Sequence, residues 1–270
     1  MMIGSVAMRV CANRSPCKGG NVARFCQKTF VALLLFGIAF GAVGQDDGPI
    51  SAERPGFSSS PIAIAAATWQ LEFGYQFSHD RSGADIDDHT LPLLLLRVGL
   101  ADRVEFQFGW AGVSWTDVNG VSLRGANDAS LGLKWQVTDK NASTLIGLFA
   151  GFTMPVGADE FSSNEVDPAV GLFWSHSAAG DLFGTLLISE SNDDAVASNA
   201  IGASFSLDGG MGAYVEYVGT FGANGGPQHS VNGGMTFLAN NNLQLDLHAG
   251  LGLNDRATDI FIGLGAAYRL

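Results

Sequence analysis

A two-residue period constrains this chain more than any other feature. In VEFQFGWAGVSW, Val104 to Trp115, the apolar Val104, Phe106, Phe108 and Trp110 alternate with Glu105, Gln107 and Gly109. A strand with that period has one apolar and one polar face. In a soluble protein the aromatic face would turn toward a core. In a membrane barrel it would face lipid, and the Glu/Gln face would line the lumen.

Composition and targeting decide between the two orientations. Only 15% of the 270 residues are charged and 36 are glycine, against about 25% charged in an ordinary soluble domain. Arg24 and Lys28 precede an apolar run from Thr29 to Val43, which has signal-peptide length and falls short of the roughly 20 residues that a spanning helix needs. Ala42, Val43 and Gly44 then supply small residues for cleavage. Residues 1–44 therefore read as a signal peptide with Gln45 as the mature start, and the length of chain before the apolar run points to translation from Met8.

All three cysteines (Cys11, Cys17 and Cys26) lie in that peptide, and none follows its apolar run, which argues against a lipid-anchored lipoprotein. Disulfide, zinc-thiolate and cysteine-nucleophile chemistry are excluded from the mature chain. Cleavage also removes five basic and no acidic residues, taking the net charge from −12 to −17. Nucleic-acid binding, which needs a basic surface, is excluded with it.

Beyond Gln45 no second uncharged apolar stretch of helix-spanning length occurs, so a membrane form must be a closed sheet. Twelve strands are expected, over 68–78, 91–100, 104–114, 129–138, 143–154, 169–176, 182–189, 198–207, 211–220, 230–238, 243–253 and 258–270. The segments 169–176 and 182–189 alternate weakly. Short connections rich in Asp, Asn and Gly (101–103, 139–142, 177–181, 208–210, 239–242) suit tight hairpin turns. Those between them are mostly longer, as in 79–90 and 155–168. Short turns at one end and long loops at the other are the pattern of an outer-membrane barrel.

The expected fold is thus all-β, an antiparallel up-and-down transmembrane β-barrel of about 12 strands over residues 68–270. Its surroundings would be outer-membrane lipid and lipopolysaccharide, and the barrel assembly machinery would insert it. A soluble sandwich or barrel accounts for the alternation equally well, but not for the signal peptide combined with low charge, or for the switching loop lengths.

Charges on the polar faces mark the candidate lumen site. Glu72, Arg97, Glu105 and Lys134 fall on four consecutive strands near the short-turn end, with Arg97 diagonal to Glu105 across the 101–103 turn. Glu216, Asp246 and Arg269 could continue the ring. Two readings stay open: ion pairs that stabilise a polar interior, or a constriction that selects permeants by charge. Twelve strands lie between the filled eight-stranded barrel and the open sixteen-stranded one, so the lumen should be narrow or partly plugged. Residues 45–67, with Pro49, Pro55 and Pro61, read as an extended segment, either periplasmic or partly inserted as a plug.

Three stretches carry a family resemblance: ERPGFSSSPIAIAAATWQLEFGYQFS (Glu53 to Ser78), HTLPLLLLRVGLADRVEFQFGW (His89 to Trp110) and LGLKWQVTD (Leu131 to Asp139). With PVGADEFSSNEVDP and the Trp174 strand, they resemble the outer-membrane transporter family named for the MetA pathway of phenol degradation. That resemblance implies a barrel that passes small aromatic or other hydrophobic compounds inward, without a cofactor. One departure is the final residue, Leu270 rather than an aromatic, with Tyr268 two positions earlier.

The remaining polar features point to no chemistry of their own. Acidic loop residues (Asp80, Asp85, Asp87, Asp88; Asp159, Glu160, Glu165, Asp167; Asp193, Asp194) fit no calcium-loop spacing and read as a solvated surface. His79 and His89 flank one loop, and Ser175 with His176 are strand neighbours that point opposite ways. With no nucleophile elbow, phosphate loop or metal-ligand spacing, no catalytic or metal site is expected. The two function classes left are a passive channel for small molecules and a non-conducting structural or surface-interaction barrel.

Overall fold

All the strands pair antiparallel, most of them with their neighbours along the chain. The computed structural model describes residues 48–177, 181–191, 194–222 and 226–270. The signal peptide expected over residues 1–44 lies outside them, as does Asp193. Within them run β1 (Trp69–Asp80), β2 (Ile86–Ala101), β3 (Val104–Trp110), β4 (Val113–Val118), β5 (Val121–Ala126), β6 (Ala129–Gln136) and β7 (Thr144–Met154). The second half holds β8 (Asp167–Ser177), β9 (Asp181–Ser191), β10 (Asp194–Ser206), β11 (Met211–Gly222), β12 (Gln228–Asn240), β13 (Leu243–Gly252) and β14 (Ile260–Arg269).

These strands make a closed antiparallel barrel of 12 staves. The long β2 pairs with β3 along Leu94–Ala101 and with β4 along Ile86–Leu91, so β3 and β4 are two halves of one stave. β5 and β6 are likewise halves of the next. β1 pairs with both β2 and β14, which closes the ring, and among the described strands β5, the upper half of its stave, has β4 as its single partner strand.

Burial answers which face meets lipid. Phe73 is 46% exposed while its neighbour Glu72 is fully buried, and the same inversion runs along β6, where Leu133 and Trp135 are exposed and Lys134 is buried. A soluble sheet would do the reverse. Exposed Trp69, Trp135, Phe205, Phe237 and Tyr268 ring the end that carries the short turns, as an interfacial aromatic girdle does. The chain is therefore an outer-membrane barrel, and the end with the short turns is its periplasmic end.

Two connections differ from the sequence expectation. The stretch 79–90 is mostly strand: β1 runs to Asp80 and β2 starts at Ile86. Residues 115–128, left as a connection, form the rest of the β4–β5 hairpin around Asn119 and Gly120, whose φ values are 51° and 82°. Toward the headgroup level and beyond it the outward face need no longer be apolar, so the alternation that identifies the lower staves stops. Asn-Gly is nevertheless a strong signal for a two-residue hairpin turn. β8 and β9, where alternation is weak, pair in unbroken register from Ala169↔Ser189 to Ser177↔Asp181. Their pattern is blurred because the lumen face there carries Phe173 and Leu187, both buried, opposite exposed Val170, Leu172, Leu186 and Ile188.

Candidate functional site: the N-terminal segment in the lumen

Residues 48–67 form no strand or helix. Pro49, Pro55 and Pro61 remove backbone donors and forbid helix, and the remaining N–H groups, once buried, must find acceptors. They find them on the barrel wall. Glu72 on β1 accepts from the N–H of Glu53 at 3.0 and 3.1 Å and of Arg54 at 3.1 Å. Glu216 on β11 accepts from the N–H of Phe57 at 2.5 Å and of Ser58 at 3.1 Å. Thr185 on β9 takes the N–H of Ser59, Gln136 on β6 that of Ala63, and Glu105 on β3 that of Ile64, at 3.2, 3.2 and 2.8 Å.

Donors on the wall serve the segment's carbonyls in turn. Arg97 on β2 donates to the oxygens of Ser51 and Ile62 at 2.6 and 3.2 Å. Gln70 donates to Ser51 at 3.0 Å and Gln244 to Arg54 at 3.3 Å. Since these partners come from β1, β2, β3, β6, β9, β11 and β13, the segment crosses the lumen. It lies inside the barrel in the manner of a plug, the name used for it from here on, and is bound by polar contacts to wall side chains around the ring.

Two ion clusters hold it, one against β1, β2, β3 and β6 and the other against β13. In the first, Arg97 reaches Glu105 at 2.8 Å, Glu53 at 3.3 Å and Glu72 at 3.4 Å, while Lys134 contacts Glu53 and lies 3.3 Å from Glu105. Burial by itself would raise the Glu53 carboxyl, but Lys134 and Arg97 outweigh it and hold that group below the usual carboxylate range. In the second cluster, Arg54 grips Asp246 on β13 through Nη2 at 3.1 Å and Nε at 3.2 Å, a two-pronged contact that fixes direction as well as distance. The Arg54 guanidinium fits because the wall beneath it lacks side chains: Gly74 and Gly265 are direct partners across β1 and β14, and a Cβ on either would lie within 2.4 Å of it.

The structure thus brings together Glu72, Arg97, Glu105 and Lys134, four of the expected lumen residues. Glu216 lies apart from them, bound to the plug and to Asn232 at 2.9 Å, and Asp246 takes Arg54 as its partner. Arg269 sits at the periplasmic mouth, where it donates to the Gly48 carbonyl at 2.7 Å and to Asn242 at 2.7 Å. Sequence reasoning missed Glu53 and Arg54 as members of the site. The available signal was that they are the only ionisable residues between positions 48 and 67.

Aromatic side chains share the lumen wall. Phe149 and Phe173 lie 6.1 Å apart, with the Lys134 ammonium 5.6 Å from the Phe173 ring, and Phe183 stands 6.4 Å from Tyr214. At the outer end the β7–β8 loop tucks Phe161 against Gly125, and Asp128 accepts from the N–H of Gly157 and Ser163. His176 is hydrogen-bonded to Thr144 at 2.8 Å, on the face of β8 opposite Ser175. Among the described residues no group of three or more His, Cys, Asp or Glu side chains is placed to hold a metal ion.

A closed barrel with an apolar exterior and an internally docked N-terminal segment defines the class: outer-membrane β-barrel proteins. More narrowly, the chain belongs to the family described as "Putative MetA-pathway of phenol degradation", whose model matches residues 52–270. Its fold is that of the COG4313 outer membrane channel from Pseudomonas putida F1, with 14% identity over 80% of this chain and 99% of that one and a TM-score of 0.64. The KdgM porin (11% identity, 74% and 98% covered, TM-score 0.48) is a more distant likeness. So is the translocator domain of the autotransporter NalP from Neisseria meningitidis (11%, 75% and 88%, 0.48). No curated protein matches the chain.

Proposed function

We propose that the protein is an outer-membrane channel through which small hydrophobic or aromatic compounds diffuse passively, and not an enzyme. Its narrowest point would be the plug together with Glu72, Arg97, Glu105, Lys134, Glu216 and Asp246. The observation that carries this reading is that between its two ends, where Ile50 and Ala67 donate to the backbone oxygens of Asn241 and Gly99, the plug is joined to the wall through side chains, and it forms none of the barrel's strands. Rearranging it widens the path without breaking a stave. Phe149, Phe173, Phe183 and Tyr214 along the same wall offer an apolar surface to a permeant with an aromatic body, and the family's description concerns phenol degradation.

A second reading, a non-conducting structural barrel, is favoured by the density of ion pairs around Arg97. Planar-bilayer recording on the mature chain separates the two, with and without a small phenolic and for wild type against Arg97→Ala and Glu105→Ala. Discrete conductance that those substitutions alter supports the channel. A silent bilayer from a barrel shown to be folded by its gel mobility sinks it.

A further inference from the structure

A row of four side chains crosses the outer wall toward its extracellular end. Phe77 on β1 faces His89 on β2, His89 faces Trp115 on β4, and Trp115 faces Arg124 on β5, each a direct cross-strand partner of the next. Phe77 shares its strand face with the lipid-facing Phe73, so the row lies on the membrane side of the sheet. Its members meet in two pairs: the Phe77 and His89 rings are 4.9 Å apart, and the Arg124 guanidinium stands 4.8 Å over the Trp115 ring. Tyr75 engages Nδ1 of His89 at 2.7 Å. With Tyr75 as the donor, the neutral imidazole carries its own proton on Nε2 as a donor to an outside group.

Position along the membrane normal gives the row its partner. Phe77 stands eight residues above the girdle residue Trp69 on β1, or roughly 20 Å along the normal for a tilted strand. Trp69 faces Val98, three residues short of the periplasmic end of β2, so successive partners climb across the sheet. Arg124, three strands on, is roughly 10 Å higher still. The apolar band of such a barrel is about 25 Å tall. The row therefore begins in the acyl region and ends, with its cation, at the level of the outer-leaflet headgroups.

We propose that Phe77, His89, Trp115 and Arg124 form a docking site for the phosphorylated glucosamine headgroup of lipopolysaccharide. Arg124 offers a planar, multi-donor cation to a phosphate, His89 a further donor, Trp115 a platform for a sugar ring, and Phe77 a contact for the acyl chains beneath. The carboxylates nearest the row already have partners: Asp87 is bound by His79 at 2.7 Å, and Asp117 accepts from Gly120 N and Ser122 Oγ at 2.7 and 3.0 Å.

The test uses the full mature chain in detergent, with Kdo2-lipid A, its dephosphorylated form and phosphatidylglycerol as separate probes read by native mass spectrometry. Wild type is expected to retain Kdo2-lipid A, and Arg124→Gln to bind it about tenfold more weakly. Arg124→Lys should fall between them, and Trp115→Leu should weaken both phosphorylated and dephosphorylated forms. Heat-modifiable gel mobility certifies folding, and Arg124 is exposed, so its substitution removes the stacking on Trp115 without touching the barrel interior. Equal retention by wild type and Arg124→Gln would overturn the site. Phosphatidylglycerol held as tightly as Kdo2-lipid A would overturn the choice of lipopolysaccharide as its occupant.

Discussion

Arg54 and Asp246 are 192 positions apart in the chain, yet they meet through two hydrogen bonds of 3.1 and 3.2 Å inside the barrel lumen. One belongs to the plug and the other to the wall. Side-chain burial is nearly complete for both, at 2% and 0% exposed, so water contributes little screening and the contact fixes the plug's position along β13.

Removing either partner should release that side of the plug. Asp246→Ala leaves a buried guanidinium without its carboxylate, a loss on the order of 3 kcal/mol. In a double-mutant cycle with Arg54→Ala, protease accessibility of residues 48–67 should show the two substitutions to be strongly non-additive. Additive effects would mean that the pair does not anchor the plug.

The wall is also shaped to receive the plug's backbone. A Cβ on Gly99 would sit 1.8 Å from the Ala65 carbonyl oxygen, which itself cannot give way without moving the segment. Gly99→Val should therefore leave strand content unchanged by circular dichroism, eject the 64–67 end of the plug and raise the rate of liposome swelling. An unchanged swelling rate, with the barrel folded, would separate plug docking from permeability.

Arg97 contacts three carboxylates, on the plug, β1 and β3. Arg97→Leu strands them in a buried site and should lower the unfolding free energy in urea by roughly 3–5 kcal/mol. Arg97→Lys keeps the charge but loses the paired contact with Glu105, and should lie between wild type and Arg97→Leu.

Acid should loosen the plug. The Glu53 carboxyl is held below its ordinary value in the docked state, so its contribution to docking is fully present above a free carboxyl value of about 4.3. That contribution is lost as the pH falls through the lowered docked value. Protease accessibility of 48–67 should stay low at pH 6 and rise at strongly acid pH. Glu53→Gln should raise it at pH 6 and flatten the acid dependence, and an unaltered profile in that variant would remove Glu53 from the mechanism.

The period of two in segments such as Trp69 to Phe77 and Val104 to Trp110, together with low charge, determined the fold by itself, because lipid and lumen demand opposite chemistry from alternate residues. It also marked Glu72, Arg97, Glu105 and Lys134 as lumen-facing, since each lies between apolar neighbours. Beyond the apolar band that demand ends, and the strand residues over 79–80, 86–90 and 115–126 were not legible in it. Only the tertiary structure decided what the lumen charges meet. Closing the ring brings β1 against β14 and carries Arg54 to Asp246 and Glu53 to Arg97 and Lys134. An irregular segment has no period of its own, and its place is set by where buried N–H groups and charges find partners, which depends on staves far apart in the chain.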